Sequence, residues 1–555
     1  MKQFLLFISA LLLSLPSAFG HVGSSGVLFQ GQAGDYRVLV SVQPPDVIPG
    51  TAQITVYVES GRVSNMYARP IYFSSGDEGA PSPDELLPVD AQKNQYQGIV
   101  WLMEGGSSSV QIDLDGTQGK AELIVPIAAV STAERDMPAG LGWTLSALGL
   151  LLVVLMVTII GASVSDGLLR PGQQLSAKQR RKRLINMGIA FGVCVLILYG
   201  GSSWWDSWAS DYKQYLYKPL QAKASIIQED GQWIFEFKAD TASLRANNRK
   251  NALNYLIPDH GKLMHLFLVR VPGLDAFAHL HPERADSTTF RAFLPALPAG
   301  KYLAYGDIVH YSGFTETITD TIDIPAAPAS SLLQKRTDPE DTYVVTDPLN
   351  NPKNIPLDEN VVICGQPGTK TKLKDGSYVI WEGKASQTFE AGKPYSLRFE
   401  VFAPDGTPAE LQSYLGMPGH AAIVRSDGSV YIHLHPVGTY AMAAELTLKN
   451  RIADTSRTYQ RAAAAVFRDS IDRQIAFLKT LSTEDRETYL MKEMGMSSGQ
   501  TDDSQHTAAM NHGSSLSFPY AFPKAGSYRI FLQIKRNGTI LTGVFDAKVI
   551  DSTTF

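Results

Sequence analysis

A histidine-bearing strand pattern occurs twice in this chain, and any fold must accommodate both copies. The first copy runs His265-Leu266-Phe267-Leu268-Val269-Arg270 and then Phe277-Ala278-His279-Leu280-His281-Pro282. The second runs His420-Ala421-Ala422-Ile423-Val424-Arg425 and then Tyr431-Ile432-His433-Leu434-His435-Pro436. Six of the chain's eleven histidines lie in these two stretches. Pro272-Gly273 and Asp427-Gly428 interrupt β-rich runs, so each copy is expected to be an antiparallel hairpin. Side chains alternate along a strand, which puts both histidines of each His-Leu-His on one face. The expected registers set His265 opposite His281 and His420 opposite His435. Three imidazoles per hairpin would then converge at cross-strand spacings of about 4.5–5.5 Å. Each hairpin is a candidate half of a metal site.

The ends and apolar runs set the compartment. Lys2, the apolar stretch Phe4 to Leu15 and Ala18-Phe19-Gly20 have the order of a secretory signal over residues 1–20, whose removal would expose His21. Two further stretches, 139–163 and 185–203, approach the roughly 20 residues needed to span a bilayer. Trp204, Trp205 and Trp208 follow the second as an interfacial belt. Between them, in the loop 164–184, stand Arg170, Lys178, Arg180, Arg181, Lys182 and Arg183 against one acid, Asp166. The positive-inside rule assigns that loop to the cytoplasm and both large soluble regions to the periplasm of a bacterial inner membrane. Flanked by spans, in a chain of net charge −5, the basic run is a topology signal rather than a nucleic-acid patch. The spans themselves carry no acidic or basic residue and are expected to anchor rather than transport. Cys194 falls in the second span and Cys364 in a soluble region, so no disulfide framework is expected.

The fold class expected is mainly β: three immunoglobulin-like sandwiches, a two-helix transmembrane anchor and a helical insertion in the last domain. Alternation over Tyr36–Val42 and Ala52–Val58, with Pro44-Pro45 and Pro49-Gly50 between, marks a sandwich over 21–138. A second is expected over 204–326 and a third over 378–550, joined by a proline-punctuated, extended linker at 327–377. Ala299-Gly300-Lys301-Tyr302 and Ala525-Gly526-Ser527-Tyr528 repeat a turn entering a strand, which supports internal duplication. The last copy differs by an insertion, 446–513, helical from about Thr458 to Met494.

Imidazole suits copper, zinc, nickel and iron, and thioether sulfur selects Cu(I). Met264 precedes His265, and Met417 stands three residues before His420. The insertion adds Met491, Met494, Met496, His506, Met510 and His512. This set makes copper the expected cofactor, with zinc as the alternative. His310, which aligns with Arg536, is expected at the surface. The competing account is structural: histidines packed on Phe267, Val269 and Phe277 in an interaction scaffold. There is no Gly-x-Ser-x-Gly elbow or His-Glu-x-x-His helix, and the glycine spacing of 365–371 is wrong for a phosphate loop, so no enzyme is expected.

Two resemblances bear on this. His21 followed by a β-sandwich is similar to the CopC type of periplasmic copper proteins, whose mature form begins with histidine. The 21–138 region holds no second histidine to complete a brace. The stretches Lys262–Pro282 and Met417–Pro436, with His-Leu-His-Pro and the later Ala-Gly-x-Tyr, more closely resemble YtkA-like and FixH-like membrane-anchored periplasmic proteins. That resemblance implies copper handling, or assembly work beside a periplasmic or inner-membrane protein partner. The duplicated domain, the extra sandwich and the paired spans depart from that group.

The topology is directly testable. Phosphatase fusions after Gly231 should be active, and a cytoplasm-only fluorescent reporter near Gln174 should fluoresce. The reverse pattern would remove the compartment argument.

Overall fold

The computed structural model describes residues 26–90, 94–134, 137–165, 169, 172–326, 337–349, 361–456, 459–493 and 513–552. The chain is mainly β and divides into two units. One unit, Val130–Tyr217, contains two helices, Ala139–Ser165 and Ala177–Tyr215, each long and apolar enough to cross a membrane. The second is much longer than the span expected at 185–203. Lys178 to Arg183 form its opening turns instead of a loop, because Ser176 and Gln179 make a capping box ahead of them. Trp204, Trp205 and Trp208 continue the same helix.

The other unit comprises Met1–Ala129 and Lys218–Phe555. Its described residues build three two-sheet sandwiches, each with one four-stranded sheet and one larger one. In the middle sandwich the strand His265–Val271 lies between Ala276–Leu280 and Gly300–His310. In the carboxy-terminal sandwich His420–Arg425 lies between Tyr431–Leu434 and Gly526–Arg536. The two arrangements coincide strand for strand. Tyr302 donates its hydroxyl to Pro298 O (2.7 Å), and Tyr528 does the same to Lys524 O (2.6 Å). The Ala-Gly-x-Tyr repeat therefore encodes one corner, built twice.

The hairpin strands are buried on both faces. Leu266, Leu268, Ala276, Ala278 and Leu280 enter the core of the middle sandwich. Phe267, Val269 and Phe277 point the other way and share a separate core with Ala422, Val424, Tyr431 and Phe531. The two sandwiches thus dock through their hairpin sheets. Two ring stacks mark an approximate two-fold relation. Phe277 lies on Phe531 and Tyr305 on Tyr431, both with centroids 4.1 Å apart, and exchanging the two copies turns one pair into the other. Arg529, fully buried, adds a polar tie by donating to Leu274 O (3.0 Å) and Asp347 O (2.7 Å).

The described residues of 327–377 are more ordered than the extended linker expected there. Thr342–Val345 pairs with Ala276–Leu280, Lys370–Lys372 opens the last sandwich, and Asp338, Glu340 and Asp341 are buried. Main-chain pairing and ion pairs outweigh local composition there. The insertion contributes helices Met442–Ala453, Ala464–Thr480 and Thr483–Glu493. The first begins earlier than expected. Its N-terminus is capped from the middle sandwich, where Asp259 Oδ1 accepts from Ala443 N (2.8 Å). The amino-terminal sandwich joins through main chain: Gln30 N donates to Val437 O, and Thr439 N to Leu28 O.

Phe531→Ala should remove half of one ring stack and open a void in the docked interface. The expected loss is about 3–5 kcal/mol, the usual cost of deleting a buried phenyl ring, read as a lower denaturation midpoint. A loss below about 1 kcal/mol would mean that this interface contributes little.

Candidate metal centre

The face that docks the two sandwiches also carries the histidines. His265 shares a face with Phe267 and Val269, and His420 with Ala422 and Val424, because strand side chains repeat every second residue. The pairings Leu266↔Leu280 and Ala421↔Leu434 set His265 opposite His281 and His420 opposite His435 when continued by one residue. Docking then brings both hairpins into one buried assembly. His433 stands with ring centroids 5.3 Å from His265 and 5.3 Å from His420.

A seventh imidazole joins them. His260 occupies a tight turn, Asp259-His260-Gly261-Lys262, with positive φ at His260 and Gly261 (51° and 78°). The equivalent turn in the second copy is Tyr414-Leu415-Gly416-Met417, also with positive φ at its two central residues. His260 therefore aligns with Leu415, and the first copy supplies one histidine more than the second. The sequence pattern excluded it because it lies five residues before the repeat and has no histidine counterpart. Two triads, His265–His279–His281 and His260–His420–His435, each have one ring nitrogen per residue within 4.8 Å of the others. The first triad is the set expected from its hairpin. The second draws His260 from the opposite sandwich, and His433 stands beside it.

Hydrogen bonds set most of the tautomers. His265 Nε2–H donates to Asp259 O (3.2 Å), His279 Nδ1–H to Gln533 Oε1 (2.8 Å), His281 Nδ1–H to Asp341 Oδ1 (3.0 Å) and His435 Nδ1–H to Tyr440 O (2.8 Å). The remaining nitrogens then carry lone pairs into the cluster. His265 Nδ1 and His279 Nε2 face each other at 3.1 Å, and His260 Nε2 lies 3.2 Å from His435 Nε2. Two ligands on a tetrahedral ion with 2.0 Å metal–nitrogen bonds stand about 3.3 Å apart. His281 Nε2, His433 Nε2 and both ring nitrogens of His420 are buried without a hydrogen-bond partner. Carbonyl or carboxylate support behind a lone pair is the usual outer shell of a metal-bound histidine.

Burial holds His260, His265, His279, His420 and His433 well below the usual imidazole pKa, and neighbouring imidazoles push further the same way. Burial also lowers His435, against the Asp259 charge and the Tyr440 carbonyl. Neutral rings are the form that binds metal. Asp307 contacts the cluster edge, with Oδ2 3.9 Å from His433 Nδ1, and burial raises its pKa to about 6.

The methionines are placed elsewhere. Met264 adjoins His265 and so points to the opposite face, into the middle sandwich core. Met417 packs with Val437, Tyr440 and Met442 in the core of the amino-terminal sandwich. Met491 lies half-buried on the helix Thr483–Glu493. His21, Met494, Met496, His506, Met510 and His512 lie outside the described residues. His310 is buried rather than exposed, because Glu316 Oε2 accepts from its Nε2 (3.0 Å). Cys364 is half-buried beside Thr346, and burial raises its thiol pKa.

Helices cover the turn that bears His260. A Cβ on Gly261 would stand 3.3 Å from Leu478 and 3.4 Å from Leu490, both in the insertion. Glu487, on the helix that bears Leu490, accepts from Gly416 N (2.7 Å) at the equivalent turn. The insertion thus closes over the cluster.

Comparison with known proteins adds little. A family model described as Domain of unknown function (DUF8832) matches residues 372–460, which include the second hairpin. No curated protein matches the chain. Among solved structures, an engineered protein is similar at 13% identity and TM-score 0.14, over 17% of this chain and 20% of that one. A tetra-tandem repeat from the extending region of a large adhesion protein is similar at 7% identity, over 92% of this chain and 73% of that one, with TM-score 0.15. A 1.5-MDa bacterial ice-binding adhesin is similar at 5% identity over 91% of each chain, with TM-score 0.14. Likeness at that level carries no argument about fold or function.

The depressed imidazoles set a sign for pH dependence. An unfolded histidine takes up a proton near pH 6.5, whereas these buried rings resist it. Their contribution is complete above about pH 6.5 and falls as the pH drops, by about 1.4 kcal/mol per pH unit for each such histidine. Denaturation of the metal-free protein should show that fall between pH 6.5 and 5. A flat profile there would mean that the rings charge freely.

Proposed function

We propose that this protein is a membrane-anchored periplasmic metal-binding protein whose metal is held between its two histidine-bearing sandwiches. The observation that carries the reading is the His265 Nδ1–His279 Nε2 contact at 3.1 Å. With their other nitrogens donating to Asp259 O and Gln533 Oε1, two lone pairs face each other in a buried site. That arrangement is unfavourable without a cation between them. Cu(II) is the first candidate, since it binds nitrogen sites more tightly than the other divalent first-row ions, and zinc is the second. The thioether argument for Cu(I) weakens, because Met264 and Met417 pack in hydrophobic cores. The two apolar helices supply the anchor, and the signal segment and basic run favour the periplasm.

Burial narrows the role. His265, His279, His281, His420 and His435 are at most 2% exposed, so metal exchange requires the sandwiches or the covering helices to move apart. Slow exchange suits a buffer or sensor better than a chaperone that hands metal on rapidly. A scaffold with structural histidines is the second reading. It is favoured by His279 stacking on Phe267 with centroids 4.2 Å apart, as a core ring would.

Thermal denaturation of the detergent-solubilised full chain separates the readings. Cu(II) or Zn(II) should raise the stability of the wild type by about 2.7 kcal/mol at a hundred times the dissociation constant. His265→Ala/His279→Ala should abolish that protection. An unprotected wild type, together with a metal-free double mutant destabilised by several kcal/mol, would favour the scaffold.

A further inference from the structure

We infer that the two triads hold two metal ions side by side, as one dinuclear centre with His433 as the imidazole between them. This rests on the metal-binding reading above and adds the number of ions, their adjacency and the role of a residue outside both triads. The triads share no histidine, so neither ion need compete with the other for donors. They are adjacent: His260 of the second triad lies 6.2 Å, centroid to centroid, from His265 of the first, both in the middle sandwich. His433 fills the position between them. Its ring is 5.3 Å and 5.6 Å from His265 and His279 on one side, and 5.3 Å and 4.6 Å from His420 and His435 on the other. Its Nε2 is buried and has no hydrogen-bond partner.

Two neighbouring cations repel strongly in a buried site, so nearby negative charge must offset them. The described residues supply it. Lys262 pairs with Asp338 (2.5 Å) and Glu340 (2.9 Å), Arg486 with Glu340 (3.2 Å) and Lys535 with Glu487 (3.8 Å). Among the described residues no lysine or arginine pairs with Asp259, Asp307 or Asp341. Those three carboxylates are distributed over the centre. Asp341 accepts from His281 of the first triad, Asp259 Oδ2 lies 3.9 Å from His260 Nε2 of the second, and Asp307 faces His433 between them. A pair of divalent ions is the ligand class that this unbalanced charge and these seven imidazoles fit together. A single ion would leave one triad's lone pairs buried and unmet.

The test counts ions on the full chain in detergent, after dialysis against Cu(II) with a competing chelator. Other histidines lie outside the centre, so the count that matters is the number lost on mutation. His279→Ala/His281→Ala and His420→Ala/His435→Ala should each lose one ion, and the combined variant two. His433→Ala should keep both but bind the second on the order of tenfold more weakly, the usual lower limit for a supporting group at a metal site. Because core variants can unfold, the wild type supplies an independent readout. Its Cu(II) paramagnetic resonance should show spin coupling between neighbouring ions, present only when both are loaded. One ion at the centre, or two that never couple, would overturn the dinuclear assignment while leaving metal binding intact. No ion lost from any variant would overturn the metal-binding reading itself.

Discussion

The face-to-face docking of the two hairpin sheets is the constraint on which the rest of this structure depends. It buries the second side of strands already buried against their own sandwich cores, and it carries the histidines inside with Phe267, Phe277, Tyr431 and Phe531. Without it, each hairpin would present three imidazoles to water, where their lone pairs cost nothing. With it, His420 has two buried ring nitrogens without a hydrogen-bond partner and His260, His281 and His433 one each. The same contact that stabilises the pair of domains by apolar burial creates the polar demand at its end.

The near two-fold relation between the copies explains both the order and the defects of the centre. Equivalent positions exchange support across the interface. Gln533 of the second copy holds His279 of the first, while Asp307, the equivalent of Gln533, faces His433 of the second. Tyr431 donates to Asp307 Oδ2 (2.7 Å), whereas its equivalent, Phe277, has no hydroxyl to offer. His260 against Leu415 is the largest departure. It turns a symmetric three-plus-three arrangement into four histidines from one sandwich and three from the other. Duplication supplied the frame, and substitutions at a few equivalent positions made its two ends chemically different.

Elements outside the copies enclose the site. Asp259 holds His265 with its backbone carbonyl and caps the helix Met442–Ala453 with its carboxylate, so one residue joins the cluster to the insertion. Arg451 on that helix reaches Phe73 O (2.8 Å) in the amino-terminal sandwich. Main-chain bonds from Val437 and Thr439 tie that sandwich to the segment just after His435. The amino-terminal sandwich has no described histidine, yet it borders the second hairpin and contributes to the rigidity on which ligand geometry depends.

Much of this was legible in the sequence because it is local. Period-two alternation, the turn dipeptides and the paired Ala-Gly-x-Tyr corners identify the hairpins, their registers and the duplication, since a strand's faces follow from its own residues. Apolar length identifies the two long helices, although not where the second begins, because Ser176 and Gln179 cap it upstream of its apolar run. The exclusion of Met264 was also readable, as it immediately precedes His265 and must face the other way. Other features were decided only by tertiary structure. A one-chain pattern cannot say which surface covers a histidine face, and here each hairpin covers the other. That docking recruits His260, takes His420 and His435 into a triad with it, sets His433 between the two groups and makes Asp341, Asp307 and Gln533 their supports. These contacts join residues up to 254 positions apart, as in His279 to Gln533. Their cause is the packing of two sheets rather than any periodicity within one.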